Sequence, residues 1–336
     1  MTSKELVTRT MEFSYPSRLA MDTRVIRGAG RSYSESYFND YPGDISLVIM
    51  TGNPYVVLSP TESMDDFGAI WSTTADGSHR GTVQRAAIYD IDKIEEYIFP
   101  DFSTKERVEM CKKMIAECPP DHYIMGFMGC LLFERMHFLL GYTEYMEHMA
   151  LNYDKMHYLA DRILEWDLKL IDAYAEAGVH GINGTDDWGL QSQLMISPAM
   201  FRDMYKPRYK KLIDRMHEHG MKLVLHSCGY ITDILGDFIE VGLDCIQMDQ
   251  QDNMGIENLA AKFGGKITFL NPVDIQTTLS TNNLELIEAK TKDMCEKLSG
   301  FGGGFLGRMY PQPDDIGIKE QSARMYLETA KKYWKP

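Results

Sequence analysis

The chain has no net positive field. Its 35 lysines and arginines are outnumbered by 49 aspartates and glutamates, for a formal net charge of −14. Nucleic acid and anionic membrane surfaces both recruit proteins through positive charge, so neither is expected as the main partner. A small anionic ligand held by a few local arginines stays open. No run approaches the roughly 18 consecutive apolar residues that a membrane span requires. The opening stretch MTSKELVTRTMEF reads as a helix start with Ser3 as N-cap and not as a secretory leader, so a soluble, cytoplasmic protein is expected. Cysteine is sparse: Cys111, Cys118, Cys130, Cys228, Cys245 and Cys295 are scattered over 336 residues, which suits free thiols in a reducing compartment and not a disulfide framework. Repeats, low-complexity tracts and polar linkers are missing as well. With 44% hydrophobic residues the chain can bury one large core, and a single domain over residues 1–336 is expected.

What is present is an alternation. Residues 1–101 are rich in Gly, Ser, Thr and Pro and read as an irregular N-terminal extension of loops and short strands. From about residue 102 to 336, apolar runs of strand length alternate with longer amphipathic segments. The strand candidates are 122–128, 179–184, 222–226, 244–248, 266–270 and 303–306, largely uninterrupted apolar runs of the kind that parallel strands covered on both faces require. The helices between them are punctuated. The segment 143–177 carries Met156, Leu159, Ile163, Trp166 and Leu170 on one stripe and stops at Gly178. Ser197 and Pro198 form an N-cap and first-turn pair, Gly220 closes that stretch, and Pro207 predicts a kink within it. Such alternation implies right-handed βαβ units and a parallel sheet. No glycine-rich phosphate fingerprint follows a strand, since GFGGGF at 300–305 leads into one, so a closed (β/α)8 TIM barrel fits better than an open dinucleotide-binding sheet.

In a parallel barrel the working residues gather where strands end. Thr185-Asp186-Asp187-Trp188-Gly189 with Gln191, His226-Ser227-Cys228-Gly229, Asp249-Gln250-Gln251, Asn271-Pro272-Val273-Asp274 and Gly307-Arg308-Met309-Tyr310 all fall at such ends. His226 and Cys228, two apart on an extended segment, point the same way and can reach one ion. Imidazole plus thiolate suits Zn²⁺, and a catalytic zinc needs a third protein ligand, for which Asp187, Cys245 and Asp249 are candidates. A hydrogen-bonded histidine beside a buried thiol would give the same pattern. Asp186 and Asp187 could share a proton or hold a cation, or one of them could cap a turn, and Arg308 could pin an anionic group. These three are the catalytic candidates. Gln191, Trp188, Gln247, Asn271, Met128 and Tyr310 are the candidates for substrate contact. The 23 methionines are mainly core filler, although a Met-lined mouth would also accept a flat apolar substrate or a corrin ring. Glu134-Arg135 reads as a simple ion pair within or between helices.

Several of these stretches resemble the uroporphyrinogen decarboxylase superfamily. The matching residues are Asp186-Asp187-Trp188-Gly189-Leu190-Gln191 with Ile196-Ser197-Pro198 downstream, His226-Ser227-Cys228-Gly229, Gly242-Leu243-Asp244, the turn Gly126-Phe127-Met128-Gly129 and the ELVTRTMEF opening. The resemblance is continuous from about 120 to 310 and patchier before that. It implies the barrel, and it implies either a tetrapyrrole decarboxylase or a corrinoid-dependent methyltransferase. Arg27-Gly28-Ala29-Gly30-Arg31 is similar to the arginine loop of the decarboxylases. The Phe-Ser-Asp-Ile stretch that carries their aspartate is missing, and Gly307-Arg308-Met309 stands where their Gly-His-Gly is expected. An acidic mouth would also repel a polyanionic substrate. The thiol-methylating branch uses His-x-Cys with a further cysteine near the last strand, but Arg308-Met309-Tyr310 supplies none. What remains is a similarity to the methyltransferase component of O-demethylases, which moves a methyl group from a methoxylated aromatic or another small methylated compound to a corrinoid (cobalamin) carried on a partner protein. The resemblance therefore implies zinc held by His226 and Cys228, with Asp187 as ligand or acid/base group, a corrinoid protein as partner, and a homodimer as the form that related barrels often take.

Overall fold

The computed structural model describes residues 1–23, 25–28, 43–73 and 80–336. Its strands in chain order are β1 (Met21–Asp22), β2 (Val25–Gly28), β3 (Ile45–Ile49), β4 (Val56–Ser59), β5 (Glu62–Met64), β6 (Ile70–Thr73), β7 (Arg80–Arg85), β8 (Tyr123–Cys130), β9 (Gly181–Thr185), β10 (Lys222–His226), β11 (Cys245–Gln247), β12 (Thr268–Asn271) and β13 (Phe305–Arg308). The helices begin with α1 (Ser3–Met11), α2 (Lys105–Ala116), α3 (Leu132–Leu140), α4 (Tyr142–Leu151) and α5 (Tyr153–Ala177). They continue with α6 (Pro198–Met200), α7 (Lys206–Glu218), α8 (Thr232–Glu240), α9 (Ile256–Phe263), α10 (Leu284–Leu298) and α11 (Glu320–Tyr333).

One sheet runs in the order β1-β13-β12-β11-β10-β9-β8-β3-β2, all of it parallel. β1 pairs with the last strand and β2 with β3, so these two consecutive stretches share the first position of an eight-membered, nearly closed (β/α)8 barrel. Every residue of β11, β12 and β13 is buried, which explains why their sequences read as unbroken apolar runs. The strands lie within two residues or so of their expected bounds, with β10 matching at both ends.

The N-terminal part differs from expectation. Residues read as an irregular extension supply the first two barrel positions, and between β3 and β8 they build an antiparallel sheet ordered β4-β5-β6-β7. The arginine loop at 27–31 lies outside the described residues apart from the backbone of 27–28.

Helix α1 closes the barrel floor. Thr2, not Ser3, is its N-cap: the Thr2 hydroxyl accepts the Glu5 N–H and Glu5 accepts the Thr2 N–H. The Ser3 hydroxyl instead donates to Asp44 at 2.6 Å. Leu6, Val7 and Met11 then pack inside the barrel with Ile45, Leu47, Val224, Cys245, Leu270 and Leu306. A second, larger core fills the layer between strands and helices. The expected helix over 143–177 is two helices separated at Asn152, and α5 ends on Gly178 in the left-handed conformation, φ 95°. Ser197 caps α6 as expected, and a π-helical turn over Phe201–Tyr205 precedes Pro207, taking up the missing N–H of that proline. The six cysteines are all free thiols. Among the described residues no helix is long and apolar enough to cross a membrane.

Leu6 is 1% exposed, and its removal would leave a void at the barrel floor. Leu6→Ala is therefore expected to lower unfolding free energy by about 2–5 kcal/mol, as measured by urea titration.

Candidate functional site

The site is built on the ends of β9 and β10. His226 is the last residue of β10 and stands in register with Thr185 of β9 and Gln247 of β11. Beyond the strand ends, two loops press backbone to backbone: the Gly189 N–H donates to Cys228 O (3.2 Å) and the Tyr230 N–H to Leu190 O (2.8 Å). A side chain on Gly189 would start 2.3 Å from Tyr230 N, and one on Gly229 would start 2.3 Å from Gly189 O. Gly229 also sits at φ 75°. Both glycines let the loops meet, and that approach hands Asp187 to its neighbour. The Cys228 N–H donates to Asp187 Oδ1 at 2.7 Å.

Asp187, His226 and Cys228 each offer one donor atom, all within 4.8 Å of one another. His226 Nε2 lies 3.2 Å from Cys228 Sγ and 3.4 Å from Asp187 Oδ1. Donor atoms around a tetrahedral zinc are about 3.4–3.8 Å apart, so the three groups are already spaced to share one ion and the set fits Zn²⁺. Burial pushes the Cys228 thiol up, and the negative charges of Asp187 and Asp249 push it further. A cation would offset that field and favour the thiolate. Of the three candidates for a third ligand, Asp187 is the one the fold brings in. Cys245 sits in the barrel floor beside Val224, and Asp249 is bonded to Gln247 and Tyr310.

Adjacent residues face opposite ways. Asp186, unlike Asp187, turns out of the barrel and is fully buried. Its carboxylate accepts the N–H groups of Phe133 (3.0 Å) and Glu134 (2.6 Å) and the Tyr209 hydroxyl. Helix α3 has no side-chain cap of its own, so Asp186 caps it from another strand. Trp188 is 0% exposed and stacks on Phe133 at 4.5 Å with Phe201 and Tyr205 edge-on, so this residue fills the outer core and not the barrel mouth. Gln191 is on the exposed rim, bonded to Gln276 and Asn253. Gln247 lies behind His226, and Tyr310 donates to Asp249. Asn271 is buried and accepts the Met248 N–H, its amide nitrogen having no partner. Arg308, 8% exposed, has an unpartnered Nε and lies 5.1 Å from the Tyr310 ring.

Sequence reasoning misses Glu134. It opens α3 just after β8, a strand end like the others, but reads in sequence as half of a helical ion pair. Its carboxyl is buried and accepts the Thr185 hydroxyl at 2.9 Å. Burial, with the neighbouring Asp187 and Asp186 charges, pushes it well above the ordinary carboxylate range. Burial pushes Asp186 up as well, to about 7, but its three donors favour the ionised form, and Glu134, which accepts only the Thr185 hydroxyl, is the better placed of the two to hold a proton. Arg135 points elsewhere, its guanidinium 3.6 Å over the Phe67 ring.

Thr185 also lines a cavity of about 630 Å³. Phe67, Trp71, Phe102, Phe127, Phe138 and Trp166 form its walls, with Met128 and Arg135. Thr185 thus connects the cavity to Glu134, and through its pairing with His226 to the cluster.

The sequence pattern of uroporphyrinogen decarboxylase (URO-D) matches residues 75–306. Among solved structures, a methyltransferase from Methanosarcina mazei superposes with a TM-score of 0.62 at 20% identity, covering 80% of this chain and 76% of that one. A D-psicose 3-epimerase determined in the presence of D-fructose gives a TM-score of 0.44 at 9% identity, over 94% of this chain and 96% of that one. At 20% identity the likeness to the methyltransferase is one of fold. No curated protein sequence matches.

Gly229→Ala tests the loop contact directly. The added methyl cannot fit without parting the two loops, so uptake of added zinc, measured by elemental analysis after dialysis against the metal, is expected to fall to a small fraction of that of the unsubstituted protein.

Proposed function

The chain belongs to the uroporphyrinogen decarboxylase family, and we propose that it is a methyltransferase that moves a methyl group from a small methoxylated aromatic compound to the cobalt of a separate corrinoid protein. The observation that carries this reading is the cluster of Asp187, His226 and Cys228 beside an aromatic-walled cavity. A planar, weakly polar ring suits those walls, since aromatic faces and edges pack well against one another.

In the proposed reaction the bond between methyl carbon and aryl oxygen breaks, the methyl group passes to cobalt(I), and the electron pair stays on oxygen. A phenolate is a poor leaving group, so its charge must be neutralised as it forms. Asp187, His226 and Cys228 would hold a zinc ion, which supplies Lewis-acid stabilisation to that oxygen. The chain's own proton source is Glu134. Its Oε2 accepts the Thr185 hydroxyl, which leaves Oε1 to carry the proton toward the departing oxygen. The aromatic side chains would pack against the ring, and Arg308 adds a positive charge beside Asp249. A carboxylate as third donor, in place of a second thiol, favours an ether donor over a thiol acceptor. The corrinoid protein is the expected partner, and the cytoplasm the expected setting.

Three outcomes test the scheme. His226→Ala should abolish cobalamin-dependent demethylation of a methoxybenzene, followed as release of the phenol. Full activity in zinc-free protein would remove the metal from the scheme, and loss of carboxyl groups from uroporphyrinogen without added cobalamin would replace methyl transfer by decarboxylation.

Glu134 makes a separate prediction. Its acid form is present at neutral pH and disappears as pH rises through its raised pKa, so kcat should fall on the alkaline side. Glu134→Gln should lose about 10²–10⁴-fold in kcat and lose that alkaline limb, as read from a pH–rate profile.

A further inference from the structure

The His226 imidazole is held from behind by side chains that take no part in the proposed reaction. Its Nδ1 meets Gln247 Oε1. The Gln247 amide nitrogen lies 2.7 Å from Asp249 Oδ1, and the other Asp249 oxygen accepts the Tyr310 hydroxyl. Gln247 and Asp249 are 0% and 3% exposed, so water does not replace either partner.

Each link constrains the next. Burial alone would raise the Asp249 carboxyl, but the Arg308 guanidinium and the hydrogen bonds from Tyr310 and Gln247 pull it the other way and favour the carboxylate. An ionised carboxylate only accepts hydrogen bonds. The end of the Gln247 side chain that faces it must therefore be the NH₂, which turns the carbonyl oxygen toward His226. That oxygen also only accepts, so the ring nitrogen against it must carry hydrogen. The remaining nitrogen, Nε2, then bears a lone pair, and it is the atom 3.2 Å from Cys228 Sγ and 3.4 Å from Asp187 Oδ1.

We infer that Asp249, acting through Gln247, is a positioning residue that fixes His226 in the Nδ1–H tautomer and so presents the Nε2 lone pair to a cation shared with Asp187 and Cys228. The inference rests on the proposed metal role of those three residues for its purpose, but its tautomer is a property of the metal-free protein. A free neutral imidazole populates both tautomers. Here the choice is made two side chains away, before any ion arrives, and the ligand set is organised in advance.

The test uses the full chain, with two readouts: the His226 tautomer of metal-free protein by heteronuclear NMR, and zinc affinity by competition with a chromophoric chelator. Asp249→Asn places one amide against another, so Gln247 can turn either way. Mixed tautomers and about 10–100-fold weaker zinc binding are expected. Gln247→Glu alone sets two carboxylates face to face and should also weaken binding. Combining Gln247→Glu with Asp249→Asn restores every donor and acceptor, because the carboxylate introduced at position 247 would accept from both His226 and the new amide. The double variant should recover the Nδ1–H tautomer and most of the affinity, which simple loss of packing would not do. It also keeps the test informative should a single variant fail to fold. An Nε2–H tautomer in the native protein, or Asp249→Asn with unchanged tautomer and affinity, overturns the inference. An Nδ1–H tautomer in a native protein that binds no zinc overturns the metal role and leaves the positioning intact.

Discussion

The hydrogen bond from the Cys228 N–H to Asp187 is the contact on which the rest of the site depends. It joins groups that are 41 positions apart in sequence, and it forms because two loops without side chains at Gly189 and Gly229 can touch through their backbones. Remove that approach and His226 and Cys228 keep each other but lose the carboxylate. A barrel strand end fixes where a loop starts, to within the register of its neighbours. It does not fix where the loop goes. Here the glycine pair supplies that second constraint, and it converts three residues on two segments into one donor set, with Nε2 of His226 at 3.2 and 3.4 Å from its two neighbours.

Neighbouring carboxylates divide the work. Asp186 accepts three hydrogen bonds and anchors α3, while Asp187 stays a third exposed and faces the cluster. The anchoring matters to the chemistry because α3 carries Glu134. One of the backbone N–H groups that donate to Asp186 belongs to Glu134, so the cap sets the position of the acid it helps to protonate. The surrounding charge is mostly negative, and burial amplifies it. Burial first, and that field second, raise Glu134 and Cys228 in the same direction, toward the protonated form. In the proposed reaction Glu134 would gain from this as a proton donor, whereas Cys228, as a proposed metal ligand, would need a cation to reverse it.

The barrel is legible in the sequence because β8 to β13 are covered on both faces and separated by punctuated helices, which leaves apolar runs of strand length. The first two barrel positions are not. β1 spans only two residues, and β3 is followed by an antiparallel sheet whose β4 strand is largely exposed, so no repeat of strand and helix marks them. The His226-x-Cys228 pair follows from strand geometry alone, but the third donor does not: Asp187, Cys245 and Asp249 are equivalent as residues near a strand. Depth separates them, since Cys245 begins its strand and lies in the barrel floor. Trp188 departs from its expected place for a related reason. Side chains beyond a strand end still alternate, and with Asp187 facing inward, Trp188 must face the helices. Glu134 is hidden by its neighbour, because Glu-Arg on a helix suggests a pair, whereas the two side chains here serve different surroundings.

Two environments meet at Thr185, and their difference is what the proposed ether cleavage would use. On one side the walls are aromatic and would hold a ring by shape; on the other, polar groups converge where charge would develop. The carboxylates that line the cavity among the rings are met by the protein itself: Asp65 accepts the Trp71 indole N–H, and Asp66 accepts the Asn53 backbone and amide N–H groups, so neither needs a partner that an apolar ligand cannot offer. The network behind His226 follows the same logic, because Gln247, Asp249 and Tyr310 satisfy one another and leave the imidazole with one nitrogen facing the cluster. Selectivity for an aryl methyl ether would then arise from the boundary itself: a donor must be flat enough for the cavity and must bring its oxygen to within reach of Thr185 and Glu134, where the polar groups begin.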